Sequence, residues 1–155
     1  MPGLEDLYRE IILDHYRTPR NRGELPVPPA RHAEGHNPLC GDEITIYLDV
    51  ANVDGVDTVS DVKVNGQGCS ISQSSASMMS AAVKGRPVPQ VRALVKKFKG
   101  MMSIDVGGDD DGADVPLGDL EALQGVVKFP VRIKCATLAW NTLLEALDAP
   151  TDPGD

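Results

Sequence analysis

Glu43–Val50 reads E-I-T-I-Y-L-D-V, with Ile44, Ile46 and Leu48 alternating against Glu43, Thr45, Tyr47 and Asp49. A period of two is that of a strand with one face buried. Asn52-Val53-Asp54-Gly55 follows with turn-forming residues, and Val56–Asn65 (V-D-T-V-S-D-V-K-V-N) resumes the pattern. The pair predicts an antiparallel hairpin. Beyond it, Gly66-Gln67-Gly68 turns the chain into Cys69, with room for a short third strand.

Outward from the hairpin the period changes to that of helices. Leu4, Leu7, Ile11 and Ile12 predict a helix from about Leu4 to Tyr16, ending before Pro19. Residues 19–39 hold Pro19, Pro26, Pro28, Pro29 and Pro38 and read as an extended, irregular crossing. On the other side, Ser70 is expected to cap a helix running to about Val83, rich in Ser74, Ser75, Ala76, Ser77 and Ser80 and closed by Gly85 and Pro87. A second helix, from about Pro89 to Met102, sets Val91, Leu94, Val95 and Phe98 against Lys96, Lys97 and Lys99. Residues 103–115 read as an acidic insert loop and Leu117–Val127 as a short helix. The last helix opens at Pro130, which suits a first helical turn, and passes through Leu147. Residues 149–155 read as a frayed tail. Strands early and helices late predict an α+β fold over a single domain, 1–155, with a small antiparallel sheet of about three strands covered by helices.

The net charge of −8 is uneven: residues 103–127 carry seven acids and no Lys or Arg, so they account for −7. An acidic chain without a basic cluster argues against nucleic acid as a partner. No apolar run approaches the roughly 18–20 residues that span a bilayer, so no membrane role is expected. Met1-Pro2-Gly3-Leu4-Glu5-Asp6 lacks a basic region followed by an apolar core, and the expected location is cytoplasmic. Three cysteines, an odd number, do not suggest a secreted disulfide framework. In a reducing compartment thiols serve packing, metal binding or chemistry.

Each cysteine stands where the backbone changes direction. Cys40 precedes a strand, Cys69 sits at the mouth of a helix behind two glycines, and Cys135 lies about a turn and a half into the last helix, beside Arg132 and Lys134. A thiol near a helix N-terminus or a cation favours the thiolate, so Cys69 and Cys135 are both placed to be ligands or nucleophiles. Cys40 and Asp42 flank one glycine and can converge on one ion. Three thiolates and a carboxylate would complete a tetrahedral zinc site. Against this stands the plainer alternative of small core residues, since there is no CxxC pair. His15 reads as structural, and His32 and His36 lie in the Pro-rich crossing. Asp109-Asp110-Asp111-Gly112 fails the calcium-loop template, because the first ligand position would be Gly107 and the closing position Gly118.

Four ordered motifs then carry a resemblance. Leu7-Tyr8-Arg9-Glu10-Ile11-Ile12-Leu13-Asp14-His15-Tyr16 with Pro19-Arg20-Asn21 resembles the N-terminal helix of the iron–sulfur scaffold superfamily. Asn37-Pro38-Leu39-Cys40-Gly41-Asp42, Gly66-Gln67-Gly68-Cys69-Ser70-Ile71-Ser72 and Arg132-Ile133-Lys134-Cys135-Ala136-Thr137-Leu138-Ala139-Trp140 resemble its three cysteine motifs. IscU-type scaffolds carry a His before the third cysteine and a Leu-Pro-Pro-Val-Lys stretch ahead of it. Here Lys134 and Phe129-Pro130-Val131-Arg132 stand there, and 65 residues separate Cys69 from Cys135. Both departures are similar to SufU-type proteins.

That resemblance implies a zinc-dependent sulfur acceptor for iron–sulfur cluster assembly. Persulfide sulfur would pass from a SufS-type, pyridoxal-phosphate cysteine desulfurase to Cys40, with zinc held by Cys40, Asp42, Cys69 and Cys135. A desulfurase side chain, a histidine, is expected to take the place of Cys40 on the zinc. Arg132 is expected to pair with Asp42 or to meet an acidic group on the desulfurase. A downstream iron–sulfur assembly complex is the implied recipient. The alternatives are an IscU-like scaffold assembling a [2Fe–2S] cluster on the same ligands and a structural zinc module that only binds a partner protein.

Overall fold

The alternating run is strand β2, Asp42–Val53, in the computed structural model, which describes residues 4–26, 30–38, 41–102, 120, 122, 123, 126 and 130–148. β2 lies between β1 (Arg31–Asn37) and β3 (Val56–Gln67), and the described strands form one antiparallel sheet in the order β1-β2-β3. Ile44, Ile46 and Leu48 of β2 face the core with Val59, Val62 and Val64 of β3. The spacing of the β3 valines breaks at Val59 to Val62 because the register shifts. Asp49 pairs with Asp61 and Val50 with Val59, leaving Ser60 as the extra residue of a bulge, its Oγ donating to the Asp49 carbonyl at 2.9 Å. The bulge keeps all three valines on the apolar face.

Two expectations about the sheet need correction. The stretch 19–39 is not irregular throughout, because Arg31–Asn37 forms β1, paired from Arg31 with Leu48 to Asn37 with Asp42. Its inward positions are Arg31, Ala33, Gly35 and Asn37, a row that holds no large apolar residue. Gly66-Gln67 is no separate strand but the end of β3. The third strand therefore precedes the hairpin.

Among the described residues, helices α1 (Leu4–Arg17), α2 (Ser70–Val83), α3 (Val88–Met101) and α4 (Pro130–Asp148) accompany the sheet. α4 packs on β1 and β2, where Gly35 is required: a Cβ there would overlap the Thr142 hydroxyl and lie 3.2 Å from Leu138 Cδ1. The serine-rich face of α2 is buried against α4 and α1 by hydrogen bonds rather than apolar bulk. Ser75 Oγ donates to the Ala136 carbonyl at 2.6 Å and accepts from Trp140 Nε1 at 3.1 Å. His15 Nδ1 lies 2.8 Å from Ser77 Oγ, which also accepts the Arg20 amide at 2.9 Å. Trp140 stacks on Phe98 of α3 at 4.3 Å between ring centroids. Of the stretch read as a short helix, residues 120, 122, 123 and 126 are described, lie in 3-10 turns and are buried. Residues 103–119, holding most of the acidic stretch, and the tail 149–155 lie outside the described residues.

Candidate metal centre

The inward alternation of β2 runs back from Leu48, Ile46 and Ile44 to Asp42, so an acid holds the first core-facing position, 1% exposed. A buried carboxylate is costly unless it is paired or bound to a metal. Asp42 Oδ1 accepts the Cys69 amide at 2.8 Å, and its Oδ2 lies 3.9 Å from Cys69 Sγ. Gly68 permits this approach, since a Cβ there would meet Asp42 Oδ1, Ser72 Oγ at 2.6 Å and Asp42 Cα at 3.0 Å.

Cys69, rather than the expected Ser70, is the N-cap of α2: its backbone is extended (φ −70°, ψ 167°) and its Sγ accepts the Ser72 amide at 3.4 Å. The cap satisfies a helix N–H that has no intrahelical partner, and it directs the thiol toward β2. Ser72 Oγ donates back to the Cys69 carbonyl at 3.2 Å. Cys135, on α4, is 0% exposed, and Asn37 Nδ2 donates to its sulfur at 3.8 Å.

Asp42, Cys69 and Cys135 thus come from a strand, a helix cap and a helix interior, and their ligand atoms lie within 4.8 Å of one another. No other group of three metal-ligating side chains is so placed among the described residues. Zn–S and Zn–O bonds of about 2.3 and 2.1 Å at tetrahedral angles put ligand atoms roughly 3.6–3.8 Å apart. The Asp42–Cys69 separation of 3.9 Å is close to that edge. Two thiols and a carboxylate form a donor set that suits zinc or iron.

Cys40 lies outside the described residues; in sequence it stands two residues before Asp42, within the 38–41 connection joining paired Asn37 and Asp42. Arg132 and Lys134 are exposed at the start of α4. His15 is buried against α2, while His32 and His36 are on the outer face of β1, His32 stacked on Tyr47 at 6.1 Å. None of the three belongs to the cluster. On that outer face burial, with Glu24 and Glu34 nearby, pushes the Tyr47 hydroxyl above its ordinary range. Sequence reasoning gave Gly68 only a turn and assigned no role to Asn37 or Ser72. Their signal was adjacency, since all three stand within the cysteine motifs.

Comparison with known proteins shows the family to which the chain belongs. The family described as the NifU-like N terminal domain matches residues 7–148. The zinc-dependent sulfurtransferase SufU of Bacillus subtilis is 46% identical over 141 residues, 91% of this chain and 89% of that protein. The iron–sulfur cluster assembly scaffold protein IscU of Streptococcus pyogenes serotype M1 is 40% identical, covering 93% of this chain and 84% of its own length. A crystal structure from Fervidobacterium islandicum AW-1, described as a cluster assembly scaffold protein for the SUF system, superposes with a TM-score of 0.75 at 32% identity, covering 94% of this chain and all of that one. The chain belongs to the NifU-like N-terminal domain family, in the SufU-type branch of these iron–sulfur assembly proteins.

Proposed function

We propose that this protein is a zinc-dependent sulfur acceptor for iron–sulfur cluster assembly, with Cys40 as the accepting thiol. The observation that carries the reading is the convergence of Asp42, Cys69 and Cys135 within 4.8 Å. Two peptide units tie Cys40 to Asp42, so their Cα atoms are at most about 7.6 Å apart and Cys40 is within reach as a fourth ligand. Cys40, Asp42, Cys69 and Cys135 would hold the ion, and zinc would supply charge stabilisation that keeps the thiols deprotonated without oxidising them.

The chain's own part in the transfer follows from this. The Cys40 thiolate attacks the outer sulfur of a persulfide on a SufS-type, pyridoxal-phosphate cysteine desulfurase. A new S–S bond forms on Cys40, the bond between the donor's two sulfurs breaks, and the donor cysteine leaves as a thiolate. The sulfur moves at constant oxidation level, so no outside oxidant is needed. Cys69 is fixed as a helix cap and Cys135 is fully buried, which suits both to remain ligands. The exposure of Arg132 at the start of α4 suits it to meet an acidic group on the desulfurase.

The relative from Bacillus subtilis is named a zinc-dependent sulfurtransferase, and other relatives are named scaffolds. The test is metal analysis of protein purified without added iron, followed by a desulfurase assay with apo and zinc-loaded protein. One zinc per chain and stimulation only by the loaded form are expected. A [2Fe–2S] cluster that forms on the apo protein and passes intact to an acceptor would establish the scaffold reading instead.

A further inference from the structure

Each of the three residues of the cluster accepts an N–H. Asp42 Oδ1 takes the amide of Cys69 at 2.8 Å, and Cys69 Sγ takes that of Ser72 at 3.4 Å. Both donors are backbone groups, which any residue other than proline supplies. The third is different: Cys135 Sγ takes a side-chain N–H, from Asn37 Nδ2 at 3.8 Å, across 98 residues of sequence. That donor exists only because position 37 is asparagine.

Asn37 is the last residue of β1, 7% exposed and on the inward face with Ala33 and Gly35. It pairs with Asp42, so one rung of the ladder carries both the carboxylate and the amide that meets the opposite sulfur. A buried amide is costly unless it finds partners, which makes asparagine an expensive choice for simple filling. Loaded with a divalent ion, three thiolates and a carboxylate leave the site with two excess negative charges. N–H donors spread that charge, as groups around metal ligands commonly do.

We propose that Asn37 is a positioning residue of the metal centre: its amide orients the Cys135 sulfur and draws charge from it, making Cys135 the anchored ligand and a poor nucleophile. The inference rests on the metal reading of the cluster given above. A sulfur that shares its lone pair with an N–H donates less to a metal and attacks a persulfide less readily. Asn37 would thereby help direct incoming sulfur away from Cys135.

Cobalt(II) titration of the full chain tests this without any sulfur transfer. If the wild-type chain develops no sulfur-to-cobalt charge-transfer absorption, the metal reading itself falls, and this proposal with it. If the absorption is present, Asn37→Leu keeps the volume and removes the amide. The charge-transfer band should then move to longer wavelength while the tetrahedral ligand-field bands stay in place. Cobalt affinity should fall about 10- to 100-fold, the usual cost of losing a group that orients a ligand, because the lost orientation outweighs the stronger donation of the freed sulfur. Asn37→Gln, which retains the amide, should return the band toward its wild-type position. A band unmoved in Asn37→Leu, or moved equally in Asn37→Gln, would overturn the proposal and leave Asn37 a packing residue. Should Asn37→Leu not fold, Asn37→Asp keeps the shape and replaces the N–H by oxygen. An unmoved band there overturns the proposal equally.

Discussion

Replacing Gly68 by alanine should weaken the metal centre without touching a ligand. Gly68 is not among the residues with positive φ, so alanine meets no backbone penalty and the effect is that of one methyl group. The methyl would lie 3.0 Å from Asp42 Cα, 2.6 Å from Ser72 Oγ and closer still to Asp42 Oδ1. The first of these is strand backbone, held by the pairing of Asp42 with Asn37 and of the next residue, Glu43, with Gln67, and cannot retreat cheaply. Ser72 Oγ is held at 3.2 Å by the Cys69 carbonyl. The carboxylate must therefore move, breaking its 2.8 Å bond to the Cys69 amide.

Overpacking of this kind costs about 1–3 kcal/mol, and loss of a hydrogen bond to a charged group about 1.5–3 kcal/mol, partly the same energy. Zinc affinity should fall about 10- to 100-fold, or roughly 1.4–2.8 kcal/mol, because a ligand is displaced rather than removed. Competition against a chromophoric chelator reads the affinity, and urea unfolding of apo protein reads the stability. Gly100→Ala is the control: nothing lies within 4 Å of its Cβ position at the end of α3. It should leave zinc binding unchanged and gain up to about 1 kcal/mol of stability. A Gly68→Ala variant that binds zinc like the wild type would refute the claim that the Asp42 carboxylate is held in place by the absence of a side chain at position 68.

Three further outcomes are expected. Cys40→Ser should abolish persulfide acceptance while Asp42, Cys69 and Cys135 retain much of the zinc; mass spectrometry of wild type after incubation with desulfurase and cysteine should find the added sulfur on Cys40, and labelling mainly on Cys69 or Cys135 would contradict the assignment. Ser75→Ala leaves the buried Trp140 Nε1 and Ala136 carbonyl short of a partner and should lower stability by about 1–3 kcal/mol, read from the fluorescence of the single tryptophan during urea unfolding. The Arg20 guanidinium, hydrogen-bonded to Asp14, holds that carboxyl below its ordinary range; the pair's contribution is present above the unfolded carboxyl's pKa and is lost as pH falls through the lowered one, so the small, salt-sensitive gap between wild type and Asp14→Asn should close in acid.

The hairpin was legible because Ile44, Ile46 and Leu48 alternate with polar residues, helices α1, α3 and α4 because of their spaced apolar residues, and α2 because a run of small residues is closed by Gly85 and Pro87. β1 was hidden by the demands of its neighbour. α4 lies so close that Gly35 cannot bear a side chain, and the inward row of Arg31, Ala33, Gly35 and Asn37 contains no large apolar residue. Hydropathy is blind to such a strand, although His32, Glu34 and His36 at period two were a usable trace. The inward aim of Asp42 was readable from the same alternation as Ile44, had the strand been started one residue earlier. Cys69 as helix cap was missed because serine caps far more often, and Ser70 stood beside it. That Cys69 and Cys135 meet is tertiary information. Their separation of 65 residues fixes no distance, and only the ordered motifs pointed to it.

Whether the metal is needed for folding follows from how the thiol-bearing helices are joined. α2 and α4 meet through Ser75, whose hydroxyl donates to the carbonyl of Ala136, the residue after Cys135, and accepts from Trp140. This link joins the helix that Cys69 caps to the residue that follows Cys135, and it contains no ligand. Behind it the core runs from Ile46 and Leu48 through Met79 and Leu94 to Leu143, with residues essentially removed from solvent. Small zinc modules that lack such a core unfold when the metal leaves. Here chelation should leave a protein that still unfolds cooperatively, with the midpoint lowered by the binding energy that zinc contributed. The expected difference is about 4 kcal/mol at a free-metal concentration a thousand times the dissociation constant. Thermal unfolding of chelated and zinc-loaded protein, followed by far-ultraviolet circular dichroism, measures it. Loss of the cooperative transition on chelation would mean that the metal holds α2 and α4 together, and a site that opens to receive sulfur could not then do so with the fold intact.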